Sequence, residues 1–203
     1  MRARWTCFAL LAAAGCVRTE ITRESSSYVE FPFQKMLICS MTADPSQASR
    51  FEDLLAGRLK RHHLEVATCS VWAGGREAMS GNDVLNQLRS SGFDSVLIMQ
   101  RKQGSRNSPW PPESAFPSFQ DFWRAYQHLD RRPQPEPRPE ENVPGDYILQ
   151  GRGQMISVAR NSLIWSFDGL AEGLFTHSIA KFMKTVNRRL ERELTEENLI
   201  RSR

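Results

Sequence analysis

The sequence predicts an α/β (α+β) protein with one mixed sheet: a β-α-β-α-β unit, a Pro- and aromatic-rich insertion, an antiparallel β-hairpin and a long C-terminal amphipathic helix packed on the sheet. Three observations predict this fold class. Short apolar runs alternate with segments of helical periodicity in the first half of the chain, as in parallel strands joined by crossover helices. Two period-two segments flank Arg160 and Asn161, as in a hairpin. Apolar residues then recur at helical spacing from Ile179 to Leu194.

Size and charge limit the classes of protein that the chain can belong to. The 203 residues, 25% of them charged and 9% aromatic, suit one globular domain with tails. The net charge of +4 falls to +2 when residues 1–15 are removed, because Arg2 and Arg4 lie there. This nearly balanced charge and the predicted export argue against a nucleic-acid partner.

Residues 1–15 have the pattern of an export signal. Arg2 and Arg4 precede an apolar run of ten residues, Trp5 to Ala14. The run is too short to cross about 30 Å of hydrocarbon, so a signal peptide is predicted rather than a transmembrane helix.

The end of this leader resembles the lipobox of bacterial lipoproteins. Ala13, Ala14 and Gly15 are the small residues that a lipoprotein signal peptidase accepts before a cysteine, and Cys16 would become the lipidated N-terminus. Two or three acyl chains make a stable membrane anchor, and the only predicted cofactor is this covalent diacylglycerol and N-acyl lipid. The residue after the cysteine is Val17 and not Asp, which by the resemblance to enterobacterial lipoproteins implies delivery to the outer membrane. The alternative is an ordinary secretory leader that is cut after Ala14.

The first strands and helices are predicted in chain order. Residues 16–34 are polar and unpatterned, which predicts a flexible tether. Residues 35–41 are a short apolar run, typical of a buried strand. Asp44 and Pro45 predict a helix start, because Asp caps helices and Pro suits the first helical position. Cations at Lys60 to His63 mark its end, where they interact favourably with the helix dipole.

Two further strands and one helix complete the β-α-β-α-β unit. The second strand is predicted over residues 64–71 and the third over residues 95–100. Between them a short helix begins near Ser80 and ends at Gly92, which suits a helix C-terminus.

Residues 102–145 break the pattern and are predicted to be an insertion. Nine of the eleven prolines lie between Pro109 and Pro144, and proline excludes core strand and helix interior. We predict that the aromatic residues inside this segment contact a partner protein, because exposed aromatic side chains give large contact areas. Alternatively, they fold back over an open face of the sheet. The predicted contact residues are Trp110, Phe116, Phe119, Phe122, Trp123 and Tyr126. The last four of them also fit one face of a short helix.

The hairpin is predicted from residues 146–159 and 162–167. Gly151 and Gly153 predict a bulge or bend in its first strand. Asp168 and Gly169 predict a turn after its second strand. One face of that second strand is predicted to carry Leu163, Trp165 and Phe167.

The final helix closes a single domain over residues 35–195, and residues 196–203 are predicted to fray. The basic residues of this helix are predicted to lie on its solvent-exposed face. The alternative is that they contact anionic lipid or peptidoglycan. These residues are Lys181, Lys184, Arg188, Arg189 and Arg192.

Two cysteines lie within predicted strands. Cys39 and Cys69 are predicted to be buried thiols, although an exported chain also permits a disulfide between them.

The remaining reactive residues form no recognised catalytic or metal-binding motif, so no catalytic residue and no metal ligand is predicted. His62 and His63 would point about 100° apart on a helix, which suits a solvated helix end better than a metal site. Asp168 and Glu172 could be paired carboxylates, but the turn explains Asp168 more simply.

A resemblance to a known group rests on the leader with Cys16, the element order and the Leu163-Ile164-Trp165-Ser166 strand. The chain resembles small bacterial lipoproteins of unassigned function, with an α/β core similar to the curli-secretion lipoprotein CsgG and to lipoprotein activators of penicillin-binding proteins. The resemblance implies no catalytic residues.

Together these observations predict a non-enzymatic binding or assembly module in the bacterial cell envelope, lipid-anchored to the outer membrane and facing the periplasm. A partner protein of the envelope is expected, and the oligomeric state is left open. The alternatives are a periplasmic hydrolase and an oligomeric secretion-associated lipoprotein.

Overall fold

A computed structural model describes residues 18–25, 32–41, 45–76, 78–102, 116–129, 147–173 and 179–201. The strands are β1 Arg18–Ser25, β2 Lys35–Met41, β3 Glu65–Thr68, β4 Ser95–Lys102, β5 Tyr147–Ser157 and β6 Ser162–Gly173. The helices are α1 Pro45–Leu59, α2 Cys69–Trp72, α3 Gly81–Ser90, α4 Phe119–Gln127 and α5 Ile179–Glu196, with a 3₁₀ turn at Lys60–His62. None of these helices is long and apolar enough to cross a membrane.

The six strands form one mixed sheet in the order β1-β6-β5-β4-β2-β3. β2 pairs in parallel with β3 and with β4, while β4-β5, β5-β6 and β6-β1 are antiparallel. The structure therefore confirms the predicted fold class, in which crossover helices join parallel strands and a hairpin precedes the C-terminal helix.

Both faces of this sheet are covered. Side chains alternate between the faces of a strand, so Met36 and Ile38 of β2 lie in one core cluster and Leu37 and Cys39 lie in the other. The first face packs against α1, α5 and the residues that follow α5, mainly through Leu55, Leu59, Leu190, Leu194, Leu199 and Ile200. The second face packs against α3 and α4, mainly through Val84, Leu85, Leu88, Phe119, Phe122 and Trp123.

The predicted tether over residues 16–34 is wrong for residues 18–25, which form the edge strand β1. Its eight residues pair antiparallel with β6, from Arg18 opposite Glu172 to Ser25 opposite Trp165. Phe33 is also buried, and its N–H donates to the carbonyl of Leu199 at 3.1 Å. Polar strands of this kind are held by the hydrogen bonds of the ladder, which leave no apolar pattern in the sequence.

The predicted fraying of residues 196–203 is wrong for Leu199 and Ile200. Asn198 takes a positive φ of 55°, which turns the chain after α5. Leu199 and Ile200 then return to the core, where each is 2% exposed, and both donate their N–H groups to the carbonyl of Leu194. The end of the chain is thus part of the first core cluster.

The hairpin differs from the prediction in two ways. β6 continues through Asp168 and Gly169, so the predicted turn there is wrong, and β6 ends only at Gly173. The ladder shifts register between Met155 and Ile156, which oppose Trp165 and Leu163 and leave Ile164 as an extra residue. This bulge lies in β6 and not at the glycines of β5, and it interrupts the alternation on which the shared face was predicted. The residues in the first core cluster are consequently Ile164, Trp165 and Phe167, while Leu163 is only half-buried.

Gly153 has a packing role instead. It lies opposite Phe167 in the β5-β6 ladder, and a Cβ at this position would overlap the Phe167 ring. The absence of a side chain therefore lets the ring lie against the backbone of the neighbouring strand.

We expect Gly153→Ala to destabilise the protein by about 1–3 kcal/mol, because the added methyl group must displace a buried ring. Gly151→Ala in the same strand is the matched control, since its Cβ would meet only the Gln100 carbonyl oxygen at 3.5 Å. Chemical denaturation followed by tryptophan fluorescence measures both variants. Equal midpoints for the two would contradict the role of Gly153.

Candidate functional site

The insertion contains the predicted contact residues, and part of it forms the helix α4. Ser118 caps this helix: its hydroxyl accepts from the Asp121 N–H at 3.3 Å and donates to the Asp121 carboxylate at 2.6 Å. This reciprocal pair fixes where α4 begins.

The aromatic side chains of α4 are buried within the chain. Phe119, Phe122 and Trp123 are fully buried, and Phe116 and Tyr126 are 8% and 4% exposed. The Trp123 ring stacks on Phe119 at 6.0 Å and on Tyr126 at 5.3 Å between centroids. The prediction that these five side chains form an exposed contact surface is therefore wrong, because they cover an otherwise open face of the sheet. Trp110 lies outside the described residues.

Polar contacts fix α4 to the β5-β6 hairpin and to the turn before α3. Asn161, at a positive φ of 52° in the hairpin turn, accepts from the Phe119 N–H at 3.0 Å through its side-chain oxygen. The Trp123 indole and the Gln127 amide both donate to the Met79 carbonyl, at 3.1 and 2.8 Å. The buried indole thus has a partner, and α4 is a fixed part of the domain.

Cys39 and Cys69 form a disulfide, with 4.8 Å between their Cα atoms. The prediction of buried thiols is wrong in its chemistry, although both residues are fully buried. The second predicted strand ends at Thr68 and Cys69 begins α2. The parallel register of β2 and β3 pairs Ile38 with Thr68, so the residues that follow them are the two cysteines.

The buried carboxylate of Glu52 bridges the residues that follow the two cysteines. It accepts from the Ser40 N–H at 2.7 Å and from the Ser70 N–H at 2.9 Å. Burial raises the pKa of Glu52 above its ordinary value, and the hydrogen bonds from Ser70 and Ser40 offset only part of that rise. Glu52 and the disulfide therefore hold α1, β2 and α2 together as one cross-linked corner.

A second buried polar cluster joins α1 to α5. Glu191 of α5 pairs with Arg58 of α1, and its carboxylate contacts the Nε2 atom of His62 at 2.8 Å. The Nδ1 atom of His62 lies 2.9 Å from the Arg201 carbonyl oxygen. The His62 ring therefore lies between the Glu191 carboxylate and the backbone that follows α5, with a polar partner at each of its nitrogens.

This geometry overturns the expectation that His62 is a solvated helix end. The His62 side chain is 6% exposed and contacts Glu191, whereas His63 is exposed. Burial raises the pKa of Glu191, but the hydrogen bonds from His62 and Arg58 and their positive charges lower it more, and the net pKa is below its ordinary value.

These buried groups are suited to holding helices rather than to proton transfer. Both nitrogens of His62 are engaged, and both oxygens of Glu52 accept backbone hydrogen bonds. The part of the chain that the structure describes contains no group of three His, Cys, Asp or Glu residues that could hold a metal ion.

Sequence reasoning missed Glu52, Arg58 and Glu191, although the two glutamates leave a signal. Glu52 lies on the helix face that carries the buried residues Leu55, Ala56 and Leu59. Glu191 lies between the buried residues Leu190 and Leu194. A carboxylate within an apolar stripe indicates a buried, paired charge.

We expect the loss of the disulfide to destabilise the protein by about 3–4 kcal/mol, because it closes a loop with a sequence separation of 30 residues. Denaturation of the wild type with and without a reducing agent measures this effect. The double variant Cys39→Ala/Cys69→Ala has no disulfide to reduce, so its denaturation midpoint should be the same with and without the reducing agent. A wild type whose denaturation midpoint does not change when its disulfide is reduced would contradict the prediction.

We expect Glu191→Gln to cost about 3 kcal/mol at neutral pH, because it leaves the largely buried Arg58 guanidinium without its counter-charge and removes the carboxylate that contacts His62. The pKa of Glu191 is lowered in the folded state, so its stabilisation is complete above the ordinary value of 4.5 and is lost as the pH falls through the lowered value. The difference between wild type and variant should therefore shrink below pH 4.5.

Glu196→Gln is the control for this variant. It removes the carboxylate of the exposed pair with Arg192 on the same helix and should leave the denaturation midpoint unchanged. A Glu191→Gln protein as stable as this control would contradict the role of the buried cluster.

Comparison with known proteins identifies the fold but not a family. No protein-family model matches the chain, and no curated protein matches it in sequence. Among solved structures, it is similar to the PelC dodecamer from Paraburkholderia phytofirmans, with 11% identity, a TM-score of 0.52 and coverage of 89% of this chain and 98% of that one. Lipoprotein GNA1162 from Neisseria meningitidis aligns at 10% identity and a TM-score of 0.42, over 80% of this chain and 99% of that one. The chain therefore shares its α/β fold with nearly the whole PelC chain, and the predicted resemblance to CsgG and to penicillin-binding-protein activators stays a prediction.

Proposed function

We propose that this protein is a lipid-anchored protein of the bacterial cell envelope that acts as an assembly module by forming rings of its own copies. The observation that carries the proposal is the fold shared with PelC over 98% of the PelC chain, whose solved structure is a dodecamer. Because the alignment covers nearly the whole PelC chain, this chain has the elements of that fold and would need no added domain to associate with its own copies in a similar way.

The anchor in this proposal is Cys16. Small residues at Ala13, Ala14 and Gly15 precede it and follow a short apolar run with a basic start. Lipidation of this cysteine would fix the mature chain to a membrane through two or three acyl chains. Val17 in place of Asp favours the outer membrane, with the domain in the periplasm.

The disulfide supports an exported protein independently of the leader. Disulfides persist in oxidising compartments such as the periplasm and are rare in the cytosol. The bond between Cys39 and Cys69 closes a corner of the core, so the chain is built for an oxidising environment.

The buried polar groups favour an assembly role over an enzymatic one. Both ring nitrogens of His62 and both carboxylate oxygens of Glu52 take part in hydrogen bonds with other parts of the chain. A general base must come within hydrogen-bond reach of the proton that it removes, and these two side chains are buried within the domain. We therefore propose a non-enzymatic protein whose envelope partners bind its assembled surface.

We expect the chain, expressed with its leader in a bacterium, to carry acyl groups on Cys16 and to run in detergent as a multiple of one chain. Mass spectrometry of the mature N-terminus and light scattering coupled to size-exclusion chromatography measure these two properties. Cys16→Ser should remove the acyl groups, whereas the control Cys7→Ser lies in the leader and should retain them. An N-terminus at unmodified Gly15 would overturn the anchor, and a monomer at all concentrations would overturn the assembly.

A further inference from the structure

The position of β1 leaves almost no chain between the proposed anchor and the folded domain. β1 begins at Arg18, so Val17 alone separates it from Cys16. Two consecutive Cα–Cα steps of a trans chain span at most about 7.6 Å. This inference rests on the proposed lipidation of Cys16, and it then requires that Arg18 lie close to the membrane surface.

The register of the sheet identifies which end of the domain this is. Arg18 lies opposite Glu172 near the end of β6, and Glu172 lies opposite Ile148 near the start of β5. β4 ends beside them, with Lys102 opposite Gln150. The anchor therefore joins the domain where β4 and β6 end and where β1 and β5 begin.

Helix α5 also begins at this end. Its later residue Glu191 contacts His62, just after α1, and the residues after α5 contact Phe33, just before β2. These contacts lie at the opposite end of the sheet. The first two turns of α5, which include the exposed Lys184, are consequently on the side of the anchor.

We call this region the anchor end: residues 18–20, 100–102, 147–150, 170–173 and 179–185. Its backbone positions carry more basic than acidic residues. Two acidic residues, Glu20 and Glu172, lie among them. The basic residues number five: Arg18, Arg101, Lys102, Lys181 and Lys184.

We infer that the anchor end rests on the anionic surface of the bilayer that holds the acyl chains. Basic residues close to a bilayer are attracted by phosphate headgroups, and the single intervening residue keeps them there. β6, with twelve residues at about 3.4 Å each, separates the opposite end of the sheet from the anchor end by roughly 35–40 Å. The protein therefore stands on the membrane in one orientation and does not move freely on a tether.

Two labelling positions test this orientation in the acylated full-length chain. Lys184→Cys lies at the anchor end, and Ser91→Cys, exposed between α3 and β4, lies at the opposite end. Each variant carries a fluorophore and is reconstituted into phosphatidylethanolamine–phosphatidylglycerol vesicles that contain headgroup-spin-labelled lipid. We expect strong quenching of the label at position 184 and none at position 91.

A spacer variant separates the inference from the proposed function. Insertion of a twelve-residue Gly/Ser segment (a span of about 20 Å) between Val17 and Arg18 should retain the acyl groups on Cys16 and reduce quenching at position 184. Equal quenching at both positions of the acylated protein would overturn the orientation while leaving the anchor intact, and quenching at position 184 that the spacer leaves unchanged would overturn the role of the one-residue link. The absence of acyl groups by mass spectrometry would overturn both.

Discussion

Strands β2 and β4 are buried on both faces, and the rest of the structure depends on this double burial. Residues 36–39 of β2 and 96–98 of β4 are all fully buried. Since neighbouring side chains point to opposite sides of a strand, a helix layer on one side alone would leave half of them in water. The fold therefore needs two covering layers, one from α1 and α5 and one from α3 and α4.

This requirement explains why the aromatic helix could be located from the sequence while its role could not. The helical spacing of the aromatic residues from Phe119 to Tyr126 is a local feature, and it predicts α4 without reference to the rest of the chain. Whether Phe119 and Trp123 face solvent or the sheet depends on Val96 and Ile98, which are distant in sequence. If another part of the chain had covered the second face of the sheet, the same helix could have been left exposed to solvent. Here the second face of the sheet is covered at these positions by the aromatic side chains of α4, which pack against it.

The sequence did not predict those features that leave no local pattern and that depend on partners distant in the chain. β1 has a polar sequence and becomes a strand through its ladder with β6. Ile164 becomes a bulge residue through the register of the hairpin. Glu52 and Glu191 could be recognised as unusual within apolar stripes, but their compensation comes from Ser40, Ser70 and His62. A buried charge is stable only with such partners. The position of a glutamate within an apolar stripe therefore predicts that it has a partner, but it does not identify the partner residue.

A short link between the proposed anchor and β1 would also change the energetics of the proposed assembly. A flexible tether over residues 16–34, as predicted from the sequence, would let each copy rotate and move over about 20–25 Å, and this freedom would be lost when a ring forms. A domain attached through Val17 alone has already lost most of it on the membrane, because β1 is part of the rigid sheet. Copies that share one membrane plane would then present the same sides to one another. The edge strand would thus contribute to assembly by orienting the copies before they meet, without any additional contact between them.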